Sequence, residues 1–453
     1  MRNETSAVYS CSMTTTVPAL LRPADVHDTL ARHLLVDGFD LVLDVAASRG
    51  STLVDARDGT SYLDLFTFFA SSALGMNHPA LADDPVFCAE LLEAALNKPS
   101  NSDIYTVAMA RFVEVFARVL GDPALPHLFF VEGGALAVEN ALKVAFDWKS
   151  RWNEAHGVDP RLGQKVLHLR EAFHGRSGYT LSLTNTDPVK VARYPQFGWP
   201  RIPAPYLSDA HGDVVRREHE ALAAARAAFR QHRHDIACFI MEPIQGEGGD
   251  HHFRPEFLRG MQALCREFDA LFVLDEVQTG CGLTGTAWAY QQLGVQPDIV
   301  AFGKKTQVCG VMAGGRVDEV PDNVFQVSSR INSTWGGSLT DMVRARRILE
   351  VMEADDLIGR AAVAGRHLRH LLAGLARRHD VVTGVRGRGL MCAFSLPDRG
   401  LRDLVLARLR DEERVLVLGC GTRSVRFRPA LTIGVAELEV GVAAFDRVLG
   451  SLA

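Results

Sequence analysis

Four short apolar runs in the middle of this 453-residue chain constrain its fold more than any other feature: KVLHLR (165–170), IACFIME (236–242), LFVLDEV (271–277) and DIVAFG (298–303). Each is bounded by turn or polar residues. Each is apolar almost continuously rather than at alternate positions, as a strand covered on both faces must be, and that is the condition of a parallel sheet. Helical patterns fill the gaps. PEFLRGMQALCREF puts Phe257, Leu258, Met261, Leu264, Cys265 and Phe268 on one stripe, with Pro255 suited to the first turn. EHEALAAARAAFRQH reads as an Ala-rich helix, polar on its outer face. Strands alternating with helices predict an α/β core.

The two ends of the chain read differently. Residues 53–66 read as a hairpin turning at Asp58-Gly59. Beyond about residue 340 come two helices, the strand-rich RSVRFRPALTI and a last amphipathic helix. The economical reading is a smaller α+β unit drawn from both termini, flanking one large central domain. Charge and cysteine usage exclude several partners. The net charge is −5 and no Lys/Arg tract occurs, so neither nucleic acid nor an anionic membrane has an electrostatic footprint. The eight cysteines are scattered without a CxxC pair, which predicts reduced, mostly buried thiols and neither a disulfide frame nor a zinc site. The histidines at 232–234 and 251–252 lack metal-ligand spacing and read as surface-loop residues. With no secretory h-region and no apolar run of membrane-spanning length, a cytoplasmic location is expected.

Chemistry concentrates in a few stretches. In DIVAFGKKTQVCGVMAGG, Lys304 and Lys305 follow a strand and lead into a segment uncharged until Arg316. A surface lysine pair is the ordinary explanation of KK. A lysine desolvated at this place would have a lowered pKa and be competent for a Schiff base. In LDEVQTG, Asp275 closes a buried strand, where α/β proteins place ligands; an Asp capping the next turn would look the same. One cofactor, pyridoxal phosphate (PLP), explains both: the lysine makes the imine, and the carboxylate keeps the pyridine nitrogen protonated. Gly133-Gly134-Ala135 open a helix whose first N–H groups suit a phosphate. In FHGRSGYTLS, Phe173 can lie on a flat ring and Arg176 can grip a carboxylate. GCGLTG (280–285) fits GxGxxG but follows DEVQT instead of closing a strand, and is set aside as a dinucleotide motif.

Taken together, ASSALGMNHP, NKPSNSDIYTVAMARF, FFVEGGALAVENALK, FHGRSGYTLSLTNTDP, EPIQGEGGDHHFRPEF, DEVQTGCGLTGTAWAY, FGKKTQVCGVMAGG and NSTWGGSLTDMVR resemble the class III aminotransferases of PLP fold type I. The likeness runs from about residue 40 to 450. Two stretches depart from the general pattern, GALAVE at 134–139 and KTQVCG after Lys304, and both look typical of the lysine-specific branch. The resemblance implies a large domain with a mostly parallel central sheet and a smaller α+β domain from both termini. Its boundaries would be a flexible tail (1–20), the N-terminal part of the small domain (21–80), the PLP-binding domain (81–342) and the C-terminal part of the small domain (343–453).

It also implies roles. Lys304 would be the Schiff-base lysine, Asp275 the partner of the pyridinium, and Gln278 the neighbour of the ring hydroxyl and substrate. Gly134 and Ala135 would hold the phosphate, and Phe173 would stack on the ring beside His174. Thr334 would come from a second subunit, with Asn332 close by, so that a homodimer is expected. Arg176 would take the α-carboxylate of L-lysine. Glu247 would mask Arg426 while the diamino acid reacts, and would release it for 2-oxoglutarate; Arg428 is easily confused with Arg426. The expected products are L-2-aminoadipate 6-semialdehyde and L-glutamate, with Phe69, Ser71 and the SSALGM loop among the substrate walls. The alternatives are another ω-aminotransferase (ornithine, GABA or diaminobutyrate), different chemistry on the same fold, or a non-catalytic PLP-binding protein.

Overall fold

The structure, a computed structural model, describes residues 21–208 and 212–452. The tail expected at residues 1–20 lies outside the described residues. Along the chain come β1 (Thr52–Val54), β2 (Ser61–Asp64), β3 (His127–Val131), α1 (Gly134–Ala155), β4 (Lys165–Leu169), β5 (Arg201–Ile202) and β6 (Ile236–Met241). Next are α2 (Pro255–Glu267), β7 (Leu271–Asp275), β8 (Ile299–Phe302), β9 (Cys309–Ala313), α3 (Leu339–Ala354) and α4 (Leu357–Arg378). The chain closes with β10 (Thr383–Arg388), β11 (Met391–Ser395), β12 (Val415–Leu416), β13 (Leu418–Cys420), β14 (Ser424–Phe427) and α5 (Val435–Gly450).

Seven strands form the central sheet in the order β3-β9-β8-β7-β6-β4-β5. From β8 to β5 every neighbour is parallel. β9 runs antiparallel to both β8 and β3. Side chains along β7 and β8 alternate between two cores. Leu271, Val273, Ile299 and Ala301 pack with Val138, Ala141, Leu142 and Trp148 of α1. Phe272, Leu274, Val300 and Phe302 face the layer holding Phe257, Met261 and Leu264 of α2. Burial of each such side chain contributes about 1.5–3 kcal/mol, so the continuous apolar runs are explained by cover on both faces. The strands β3 and β9 were not expected from the sequence. His127–Val131 is only partly buried, and β9, buried throughout, lies in the uncharged stretch after Lys304.

The termini meet as expected. β1 and β2 form the hairpin, with Gly59 at φ +77° in its turn, and β2 continues in parallel onto β12, with Leu63 opposite Val415. A four-stranded antiparallel sheet, β10-β11-β14-β13, completes the C-terminal part. Among the described residues, no helix is long and apolar enough to cross a membrane.

Candidate active site

Strand ends build the site. β7 and β8 are parallel neighbours with Ala301 opposite Asp275, so Asp275 and Lys304 emerge side by side at the carboxyl edge of the sheet. β9 returns beside β3 with Cys309 opposite Val131, which brings the Gly133–Gly134 entry of α1 to the same edge. A crevice at the carboxyl ends of parallel strands is where open α/β sheets bind ligands.

Lys304 occupies the left-handed region at φ +55°, a strained conformation for a lysine that neighbouring structure has to enforce. Burial pushes its ammonium pKa down, against the opposing pull of Asp275. Its Nζ makes no hydrogen bond among the described residues. Lys305 behaves otherwise. It is buried, donates from Nζ to the Ala70 carbonyl across 2.7 Å, and is pushed down to about 7 by burial. One lysine is therefore committed to the backbone and the other is available.

Asp275 is buried, with Oδ2 2.8 Å from His174 Nδ1 and Oδ1 accepting from the Val277 amide. The opposite ring nitrogen, His174 Nε2, is buried without a partner. Behind this pair stands Glu242, which the sequence reading passed over although it ends the run IACFIME. It accepts from the amides of Phe173 and Gly246, each at 3.0 Å, and so positions the ring and the Glu247 loop together. Burial raises its pKa to about 7, with nearby His174 opposing the rise and Asp275 adding to it.

α1 starts at Gly133, φ +97°, with no side-chain cap, leaving its first N–H groups open. A Cβ on Gly134 would stand 2.9 Å from Val277 Cγ1, so glycine is needed where this helix approaches the Asp275 loop. The residues present fit PLP: an open helix N-terminus for the phosphate, a buried carboxylate for the ring nitrogen, and a lysine without a partner.

Glu247 and Arg426 meet at 3.0 Å, and Lys190 Nζ lies 2.5 Å from the other Glu247 oxygen. Arg426 is 3% exposed and its Nε has no partner. Lys190, missed from the sequence, also lies over the Phe173 ring at 5.4 Å, and its carbonyl accepts from Arg176 Nη2. Arg176 itself is exposed. Arg428 is committed elsewhere. It forms a fully buried ion pair with Asp250 and donates from Nε to Gln278 Oε1 at 3.0 Å, so the two nearby arginines are separated by their partners.

Two further segments frame the site. Thr67, Phe68, Phe69 and Ala70 all have positive φ, between 41° and 71°, a left-handed turn without a glycine. Lys305 Nζ on Ala70 O and Thr67 Oγ1 on Arg428 O hold it, and the Phe69 ring centroid lies 5.9 Å from the Arg426 guanidinium. No composition signal marks such a turn, because residues that adopt this geometry readily are absent. The segment 332–337 is tied to residues 101–102 through Ser333 O, Trp335 O and Gly337 O. Asn332 and Thr334 there are exposed and make no hydrogen bond to the Lys304 cluster.

The reading of His251 and His252 as surface-loop residues is corrected. His252 is 5% exposed, His251 stacks on Tyr206 with centroids 3.5 Å apart, and both lie in a short hairpin, Ile244–Gln245 with His251–His252. The glycines of GCGLTG serve packing: a Cβ on Gly285 would stand 2.8 Å from Ala362 Cβ of α4. All seven described cysteines are free, six of them buried.

A family model for class-III aminotransferases matches residues 37–449. The chain belongs to the class-III aminotransferases. Curated relatives within this family include the L-lysine-epsilon aminotransferase of Mycobacterium tuberculosis, 68% identical over 94% of this chain and 96% of the relative. That of Amycolatopsis lactamdurans is 62% identical, covering 96% and 98%. Among solved structures, a lysine aminotransferase from M. tuberculosis superposes with a TM-score of 0.94 at 66% identity, covering 96% of this chain and 100% of that one. As a class-III aminotransferase the protein is a PLP-dependent enzyme, and its central sheet is that of the family.

Proposed function

We propose that the enzyme transfers the ε-amino group of L-lysine to 2-oxoglutarate, giving L-glutamate and L-2-aminoadipate 6-semialdehyde, which cyclises to piperideine-6-carboxylate. The names of the relatives support the donor. The observation that carries the reading is the Glu247–Arg426 ion pair at 3.0 Å. A guanidinium that is masked while a monocarboxylate donor reacts and exposed for a dicarboxylate lets one site accept two substrates of different charge.

Bound PLP supplies the electron sink that makes the carbon bearing the reacting amine acidic. Lys304 would hold it, with Asp275 at the ring nitrogen, Gly134 and Ala135 at the phosphate, Phe173 on the ring face, and His174 and Gln278 at the ring edge. The lysine amine, desolvated and free of hydrogen bonds, is suited to take a proton from the substrate's ε-carbon as a neutral base; general base help of this kind contributes about 10²–10⁴-fold. Arg176 would hold the α-carboxylate, so that the extended chain presents the ε-carbon and keeps the α-carbon away. Asn332 and Thr334, exposed in the single chain, would complete the site of a second copy, which makes the working unit a homodimer. The free state of all seven described cysteines supports a reducing, cytoplasmic setting.

An amine-donor screen with 2-oxoglutarate tests this reading, following glutamate and the cyclised semialdehyde. Lysine is expected to lead. Glutamate formed from ornithine or GABA but not from lysine would overturn the donor assignment.

A further inference from the structure

A second cavity, of about 560 Å³, lies apart from the Lys304 cluster and shares none of the side chains described there. Its walls are α4, β10 and the segment 284–286, with His252 contributing from the hairpin. Arg366, Arg369, Arg386 and Arg388 all line it, and no aspartate or glutamate does.

None of these arginines forms an ion pair among the described residues. Arg386 spends its N–H groups on neutral acceptors, the carbonyls of Gly249, Asp250 and Gly384 and the hydroxyls of Ser395 and Ser424. Arg369 reaches only the Gly387 carbonyl at 3.4 Å. Four guanidinium groups around one concavity repel one another, and burial and the Arg369 charge act on Arg388 in the same sense. Arg366 and Arg369 are exposed, and Arg386 and Arg388 are half-buried. Four like charges around one concavity with no acidic neighbour in its lining create a local positive potential that a multivalent anion would neutralise.

We propose that this cavity binds a small multivalent oxyanion, a phosphate ester or polycarboxylate, through Arg366, Arg369 and Arg388. Planar guanidinium groups match the geometry of such oxygens pairwise, and the volume falls in the range of small-ligand sites, about 300–1,000 Å³. The site adjoins the catalytic machinery through one strand. Arg386 holds the carbonyls of Gly249 and Asp250, and Asp250 anchors Arg428.

Calorimetric titration of the PLP-loaded enzyme with pyrophosphate and, separately, citrate tests the proposal, with sodium chloride at matched ionic strength as the reference. Loading with PLP fills the catalytic phosphate site beforehand. Saturable binding is expected for at least one probe, and which one binds separates phosphate from carboxylate chemistry. Arg369→Gln and Arg388→Gln should each weaken it about tenfold or more, one decade of Kd. Arg426→Gln should leave it unchanged. Arg366→Gln, at an exposed position, covers the case in which another arginine variant fails to fold, and should also weaken binding. Heat no greater than that of chloride, or binding lost in Arg426→Gln and kept in Arg388→Gln, would overturn the assignment.

Discussion

Arg426 Nη2 donates to Glu247 Oε2 across 3.0 Å, while the same carboxylate also pairs with Lys190. Glu247 therefore stands between two cations and is 27% exposed, so it can leave Arg426 without becoming an unpaired buried charge. Arg426, at 3% exposure, cannot move to water as easily. Exposure thus makes the acid the partner with room to move.

Glu247→Gln keeps the shape and removes the charge. Hydrogen bonds to charged groups contribute about 1.5–3 kcal/mol, so the unmasked Arg426 should raise KM for lysine by roughly ten- to a hundredfold. KM for 2-oxoglutarate should change little. Half-reaction kinetics read the two separately, and equal losses in both would contradict a masking role.

Arg426 and Arg428 should separate into function and stability. Arg428→Met leaves Asp250, which is fully buried, without its partner, and breaking such a pair costs about 3–5 kcal/mol. Arg426→Met should cost less stability and should chiefly impair the acceptor half-reaction. Thermal unfolding with steady-state kinetics on both variants checks the division.

Lys304→Ala should abolish covalent retention of the cofactor and its characteristic absorbance, and reduce turnover by about 10³-fold or more, the scale on which removal of a nucleophile acts. Lys305→Ala should retain the absorbance. Its loss falls on the Thr67–Ala70 turn, through the bond to Ala70 O, and should appear as lowered stability.

Glu242 gives the folded chain a pH dependence. Its folded pKa, about 7, lies above the ordinary value of about 4.3. The folded form therefore holds this proton more tightly, and the associated stability is complete below about pH 4.3 and lost as pH rises through about 7. Glu242→Gln in the cofactor-free protein should show a constant deficit from one lost acceptor. The remaining gap from the wild-type Tm should narrow as pH rises toward about 7. A gap that is constant with pH would show that Glu242 is ionised throughout.

The sequence determined by itself the parts that rest on local pattern. Continuous apolar runs mean cover on both faces, which specifies a parallel sheet, and a residue just past the end of such a strand stands at its carboxyl edge whatever the loops do. Asp275 and Lys304 were legible for that reason, and Gly134 because a glycine pair opens a helix. Glu242 was legible in principle, as an acid ending the run IACFIME, but its role depends on which amides reach it.

Tertiary structure decided whatever depends on distant partners. Arg426 and Arg428 lie two positions apart with the same chemistry, and only Glu247 and Asp250, both far away in sequence, tell them apart. The left-handed turn at Thr67–Ala70 has no sequence signature, because its strain is offset by Lys305 and by the Arg428 carbonyl from across the fold. His252 sits in a stretch that reads as a surface loop and is buried in a hairpin opposite Ile244. In each case the deciding energy is a long-range contact, and spacing along the chain does not encode it.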